Sequence, residues 1–259
     1  MNSPFFRLLY SAWCVFLFGL LIVLTFPLVW LGLRRRAWYG LAHRATRLIG
    51  QGFFIGALLP VRIEHRFRPD PKQPYIYCAN HFSYMDITLL GTIVPGMYAF
   101  IGKTDVQKVP LFGYMFSRLH VMVDRNDANS RARSLKQSLQ LLREGRPIIV
   151  FPEGGMRSTN PPQMASFMDG AFAMAIQQQV PIVPITLLND YRVLPNAKKL
   201  RMRWEPIQVV FHEPIPTIGL IMNDVEMLKQ KTFGVIEAEL SSAGFHPRKS
   251  VTRVETREV

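Results

Sequence analysis

The sequence predicts an α/β fold, a mixed and largely parallel sheet flanked by helices, behind an N-terminal membrane-anchoring helical segment. Beyond Pro60, short β-rich runs alternate with helical stretches, the pattern of strands joined by helical crossovers. Before it, no residue from Leu8 to Leu33 is charged. The composition, 49% hydrophobic and 19% charged, is too apolar for a solvated tail and too charged for a bundle of membrane spans. These features divide the chain into an anchor over 1–59, a globular domain over 60–246 and a polar, disorder-prone tail over 247–259.

The apolar run, SAWCVFLFGLLIVLTFPLVWLGL at its core, is long enough as a helix to cross the roughly 30 Å of bilayer hydrocarbon at about 1.5 Å per residue. It lacks a small-residue cleavage site, and Trp13, Trp30 and Trp38 suit interfacial anchoring, so it reads as a retained anchor. Pro27 leaves a kinked, deep but non-spanning insertion as the competing reading. Arg34, Arg35 and Arg36, then Arg44 and Arg47, follow it, while only Arg7 precedes it. That asymmetry places the bulk of the protein on the cytoplasmic side of a membrane. From Ala37 to Leu59 apolar and basic residues mix as in a helix lying in the headgroup layer, or as in an amphipathic helix packed on the domain.

Strands are expected at 61–67, 75–79, 97–102, 120–124, 147–151, 181–188 and 207–212. Helices are expected around 84–93, 109–118, 128–144, 164–178 and 222–242, with Asn126, Asp127 and Asn129 as possible caps of the third. The two cysteines, Cys14 and Cys78, build neither a disulfide framework nor a zinc site, and no metal site is expected. Lys and Arg number 31 against 18 Asp and Glu, a net charge of +13. The basic residues are scattered and no nucleic-acid motif accompanies them, so anionic membrane lipids or an acidic substrate are the expected partners.

Two clusters carry chemistry. In CANHFSYMD (78–86) a strand ends in Asn80-His81, and Asp86 follows. On one straight helix the two side chains would diverge, so His81 must precede the helix for Asp86 to reach back to it. Such a pair fixes the imidazole tautomer and makes His81 a general base for an alcohol. In PIIVFPEGGMRS (147–158) an apolar strand breaks at Pro152 into Glu153, Gly154 and Gly155, with Arg157 and Ser158 behind. Glycines allow close backbone approach, and a guanidinium beside exposed N–H groups suits an anionic oxygen. Between the clusters lie Lys103 and a strand ending in Asp124-Arg125, whose arginine would enter the crevice at the carboxyl ends of the strands.

Asn80-His81-Phe82-Ser83-Tyr84-Met85-Asp86 resembles the NHxSxxD block of the glycerolipid acyltransferases. Phe151-Pro152-Glu153-Gly154 with Arg157-Ser158 resembles their FPEGTRS block. Lys103 through Arg125 is similar to the intervening block, and Val180 through Ile185 to the fourth. The resemblance spans roughly residues 60–215. It implies transfer of an acyl group from acyl-CoA or acyl carrier protein to the sn-2 hydroxyl of lysophosphatidate, without a cofactor or an acyl-enzyme. His81 would be the base and Asp86 its orienter. Asn80, Lys103, Arg125, Glu153, Gly154, Arg157 and Ser158 would line the substrate site, while Ser83 would serve the helix start.

The sequence departs from the family pattern at Asp105-Val106, where Glu-Leu is usual. Gly155-Met156 adds a residue ahead of Arg157, and Met168-Asp169 stands where the family carries lysines. These differences keep open another lysophospholipid or an aminoacyl lysolipid as acceptor. A tethered protein that binds lipid or carrier protein without turnover is the non-enzymatic alternative, and the intact His81 and Asp86 speak against it.

Overall fold

The computed structural model describes residues 3–197 and 199–244; the expected polar tail and Lys198 lie outside the described residues. The chain begins with α1 (Pro4–Leu33), which carries a proline in its first turn, where the missing N–H costs nothing. It continues through Pro27 as one helix, so the chain makes no re-entrant bend there. A tight turn at 34–38 leads into α2 (Tyr39–Gly56). Gly32 faces Ala42, Leu21 faces Gly52 and Leu17 faces Gly56, so the two helices form an antiparallel hairpin in contact along its length.

The sheet follows: β1 (Val61–His65), β2 (Ile76–Ala79), α3 (Met85–Ile93), β3 (Ala99–Lys103), α4 (Phe112–Leu119), β4 (Val121–Val123), α5 (Ala128–Arg143) and β5 (Ile148–Val150). Then come α6 (Gly170–Gln178), β6 (Ile182–Leu187), α7 (Asp190–Val193), β7 (Ile207–Phe211) and α8 (Val225–Ser242). The strand order is β1-β7-β6-β2-β5-β3-β4, with β6 and β7 antiparallel and every other neighbouring pair parallel. All seven expected strands are present, within a few residues of their expected limits.

The helix starts differ for local reasons. Asp127 caps α5, accepting from the N–H groups of Asn129 at 3.0 Å and Ser130 at 3.1 Å. Helix α4 begins only at Phe112, because Pro110 precedes it and Leu111 takes a φ of 58°. Helix α6 begins at Gly170 rather than near 164, because the segment before it bonds to the loop after β5: Ala165 N–H donates to Glu153 Oε2 and Met168 N–H to the Pro152 carbonyl. The four-residue α7 was not expected.

Alternating residues of the central strands face two helical layers. Ile76, Cys78, Ile148, Ile182 and Val210 pack against α5, α6 and α8. Tyr77, Ala79, Ile149, Ile185 and Phe211 pack on the opposite side with α3 and with Phe53 and Phe54 of α2. Cys14 and Leu17 of α1 enter that same layer, so the hairpin and the sheet share a core. Both cysteines are buried and free. Polar groups fasten α1 as well: Tyr10 Oη donates to the Ala57 carbonyl at 2.8 Å, and Met202 N–H donates to Ser11 Oγ at 2.8 Å. The outward face of α1, including Phe5, Phe16, Val23 and Leu24, is exposed and apolar.

Close approach of α2 and α3 depends on Gly50, where an added Cβ would stand 1.9 Å from Thr92 Oγ1. Gly50→Val is expected to destabilise the protein by about 1–3 kcal/mol through overpacking, lowering Tm by ~2–4 °C per kcal/mol. Gly234→Ala, in an exposed part of α8 with no atom within 4 Å of the added carbon, is expected to raise Tm slightly. Thermal unfolding of both variants in detergent checks the contrast.

Candidate active site

Parallel pairing brings the carboxyl ends of β4, β3, β5, β2 and β6 to one edge of the sheet. That edge carries, in the same order, Arg125, Lys103, the Phe151–Gly155 turn, His81 and Asp190. Residues separated by more than a hundred positions in the chain thus meet because strands of one direction end together.

His81 lies in the turn between β2 and α3, and Asp86 in the first turn of α3. Asp86 Oδ2 is 2.7 Å from His81 Nδ1 and accepts the N–H groups of Phe82 at 2.9 Å and Ser83 at 3.1 Å. The carboxylate therefore closes the turn, and Nδ1–H must point at it. Nε2 is left with a free lone pair. The imidazole stacks on Phe151 with ring centroids 4.0 Å apart and an interplanar angle of 15°. Burial pushes the His81 pKa down to about 4, with Arg125 lowering it further and Glu153 and Asp190 raising it, so the ring is neutral at physiological pH. Ser83 serves the helix start as expected: its Oγ accepts Met85 N–H at 3.1 Å and donates to the Leu194 carbonyl at 2.8 Å.

The turn after β5 is built on glycine. Gly154 has a φ of 81° and Gly155 a φ of 144°, and a Cβ on Gly154 would meet Met168 Sδ at 2.5 Å. The Arg125 guanidinium lies over this turn, 3.4 Å from where a Gly155 Cβ would be. Burial and the nearby Arg157 both lower the Arg125 pKa, which places two guanidiniums in one electrostatic neighbourhood. Arg125 forms no ion pair among the described residues. Neighbouring guanidiniums have the charge and donor chemistry that suits a dianion such as a phosphate monoester, while Lys103 on the same wall is engaged by Asp105.

A cavity of about 890 Å³ joins these groups. His81, Lys103, Arg125, Gly154 and Arg157 line it, so the added Gly155-Met156 does not remove Arg157 from the site. Apolar walls come from Ile87, Phe100, Phe112, Phe116 and Met202, and from Cys14, Val15 and Phe18 of α1.

Three expected binding residues bond to the backbone instead of lining the cavity. Asn80 is fully buried and clamps β6, donating to the Leu187 carbonyl at 2.9 Å and accepting Leu187 N–H at 2.8 Å. Glu153 is fully buried with Oε1 accepting His81 N–H at 2.7 Å and Oε2 accepting Ala165 N–H at 2.8 Å. Ser158 Oγ donates to the Gln163 carbonyl at 2.5 Å and stays off the cavity wall. Asn80 and Glu153 satisfy backbone groups at the strand ends and Ser158 those of its own loop, so the three shape the site without lining it. Sequence reading missed Phe151 as the stacking partner of His81, Asp190 behind Asp86, and the contribution of α1 to the cavity.

Residues 60–188 match the family model described as Acyltransferase. The chain is 39% identical over 149 residues to a 1-acyl-sn-glycerol-3-phosphate acyltransferase of Chlamydomonas reinhardtii, covering 57% of this chain and 44% of that protein. It is 31% identical over 148 residues to a chloroplastic one of Arabidopsis thaliana, so the matched segment spans less than half the length of these relatives. To the human 1-acyl-sn-glycerol-3-phosphate acyltransferase alpha it is 30% identical over 224 residues, 86% of this chain and 75% of that one. The fold matches the crystal structure of the LPA acyltransferase PlsC from Thermotoga maritima with a TM-score of 0.77 at 23% identity, covering 93% of this chain and 97% of the other. With an oriented His–Asp pair and paired guanidiniums at the carboxyl edge of such a sheet, the chain belongs to the acyltransferase family that includes the 1-acyl-sn-glycerol-3-phosphate acyltransferases.

Proposed function

We propose that this protein moves a fatty acyl group from a thioester, acyl-CoA or acyl carrier protein, to the sn-2 hydroxyl of 1-acyl-glycerol-3-phosphate, giving phosphatidic acid. The observation that carries the reading is one cavity that contains a neutral, oriented histidine, two guanidiniums without an ion pair among the described residues, and apolar walls reaching α1. The relatives' names support the same acceptor.

In this reading His81 Nε2 takes the hydroxyl proton as the oxygen attacks the thioester carbonyl. Asp86 holds the tautomer and stabilises the imidazolium that forms. The tetrahedral intermediate collapses by breaking the C–S bond, and the imidazolium returns the proton to the departing thiolate. The products are the ester and the free thiol, with no covalent enzyme intermediate. Arg125 and Arg157, with Lys103 nearby, would hold the acceptor phosphate.

Membrane association belongs to the same proposal. Helix α1 is long and apolar enough to cross a bilayer by length and composition, yet it is docked along α2 and the domain rather than projecting from them. That packing favours insertion of its outer face into one leaflet over a full span, which puts the cavity wall formed by Val15 and Phe18 beside the lipid acceptor. Arg34 lies over Trp30 and Arg35 over Trp38 at the hairpin turn, ready for anionic headgroups on the cytoplasmic side, while Arg36 is engaged by Glu144 at 2.6 Å.

The test is an assay with a labelled acyl thioester and a panel of acceptors: lysophosphatidate, glycerol 3-phosphate, lysophosphatidylethanolamine and a lyso-aminolipid. Lysophosphatidate is expected to be converted, and preference for another acceptor would overturn the phosphate assignment while leaving the chemistry. His81→Ala is expected to lower kcat by roughly 10²–10⁴-fold with membrane association and Tm retained. Residual activity above about a tenth of wild type would contradict the general-base role. Arg125→Ala is expected to raise KM for lysophosphatidate more than for monoacylglycerol, and an equal effect on both would refute phosphate binding. Because the neutral imidazole is the active form, activity is present above the His81 pKa and lost as pH falls through it. The acid limb of kcat/KM is expected below the ordinary histidine value of about 6.5, and a limb above it would contradict the burial argument.

A further inference from the structure

Behind the His81–Asp86 pair lies a second carboxyl that the reaction scheme does not use. Asp190 opens α7 at the carboxyl end of β6, is fully buried, and touches Asp86 within hydrogen-bond reach. Asp86 Oδ2 is already occupied by His81, Phe82 and Ser83, and Asp190 Oδ1 accepts Tyr191 N–H at 2.9 Å. What remains is Asp86 Oδ1 and Asp190 Oδ2, both buried and both without an N–H or O–H donor from any other described group. His81 is the one ion-pair partner that either carboxyl has among the described residues. Two ionised carboxylates in contact in such a place would repel without compensation, whereas one proton between them satisfies both oxygens.

We propose that Asp190 is a positioning residue: it carries the shared proton and donates it to Asp86 Oδ1, locking the carboxylate that orients His81. The proton belongs on Asp190 because Asp86 has three donors to stabilise its charge and Asp190 has one. Burial and the neighbouring Asp86 hold the Asp190 carboxyl well above the usual carboxylate range. The other titratable groups facing the pair are His81, on the turn after β2, and Glu153, on the turn after β5, whose charge also raises Asp86. Helix α7 is fixed in place by independent contacts. Asn189 donates to the Pro206 carbonyl at 2.9 Å and accepts Gln208 N–H at 2.9 Å, and Leu194 O accepts Ser83 Oγ–H. Asp190 is therefore presented to Asp86 by an element held in place from several sides, and its hydrogen bond reaches the reaction through Asp86.

The proposal rests on the reading of His81 as the base, and two readouts on the full chain in detergent separate the two. The first is kinetic. Asp190→Asn keeps a donor for Asp86 Oδ1 and is expected to hold kcat within about threefold of wild type. Asp190→Ala removes the donor and is expected to lower kcat by about tenfold or more with the lysophosphatidate KM little changed. The second is thermodynamic and needs no activity. The unfolded carboxyl releases its proton near its ordinary value of about 3.9, so wild-type folding takes up a proton above that pH and stability falls as pH rises. Asparagine has no such dependence, so the Tm of Asp190→Asn relative to wild type is expected to climb from about pH 5 to about pH 8. A pH-independent Tm difference, Asp190→Asn as inactive as Asp190→Ala, or full activity of Asp190→Ala would each overturn the proposal. An active His81→Ala would overturn the base assignment instead, leaving the Tm comparison to decide where the proton resides.

Discussion

The geometry of the site depends on how the chain turns between β2 and α3. There the Asp86 carboxylate gathers two backbone N–H groups and the His81 imidazole onto a single oxygen. A carboxylate in the first turn of a helix also meets the positive end of the helix dipole. These contacts let an ion survive complete burial, and they consume Nδ1 so that only Nε2 faces the cavity. Glu153 locks the same turn from the other side through the His81 N–H, joining the ends of β2 and β5 into one unit. Lys103, Arg125 and the loop carrying Gly154 and Arg157 are then brought to the same edge by parallel strand pairing.

On the proposed reaction, the unlike surfaces of the cavity have one reason. A lysolipid acceptor has an anionic head and a hydrocarbon tail, and the site offers guanidiniums beside the glycine turn and aromatic walls toward the hairpin. Low exposure keeps the imidazole unprotonated before reaction, and the Asp86 carboxylate supplies the stabilisation that a buried imidazolium needs once the proton arrives. The same burial raises the cost of Asp86 as an ion, which is why its hydrogen-bond environment must be complete.

Much of this was legible in the sequence. The strands are apolar runs bounded by proline, glycine and polar residues, and a fully buried parallel sheet leaves that mark strongly. The His81–Asp86 spacing required a turn before the helix, and the turn is there. Other features escaped because they arise from long-range contact. Asn80 and Glu153 look like exposed site groups in a motif, but their side chains satisfy backbone groups of β6 and of the segment before α6. The late start of α6 has the same origin, since backbone bonds to the turn after β5 compete with helix formation. Asp190 carries no local signal of its role, as a lone acid after a strand is an ordinary turn residue. The docking of α1 into the cavity wall depends on packing that hydropathy alone does not express.

The most direct test of this account is a structure of the protein with 1-acyl-glycerol-3-phosphate bound in the absence of an acyl donor. The sn-2 hydroxyl is expected about 2.6–3.2 Å from His81 Nε2, with the phosphate on Arg125 and Arg157 and the acyl chain running along the walls toward α1. A phosphate bound away from both arginines, or a hydroxyl out of reach of Nε2, would contradict the assignment of the cavity as the acyl-transfer site.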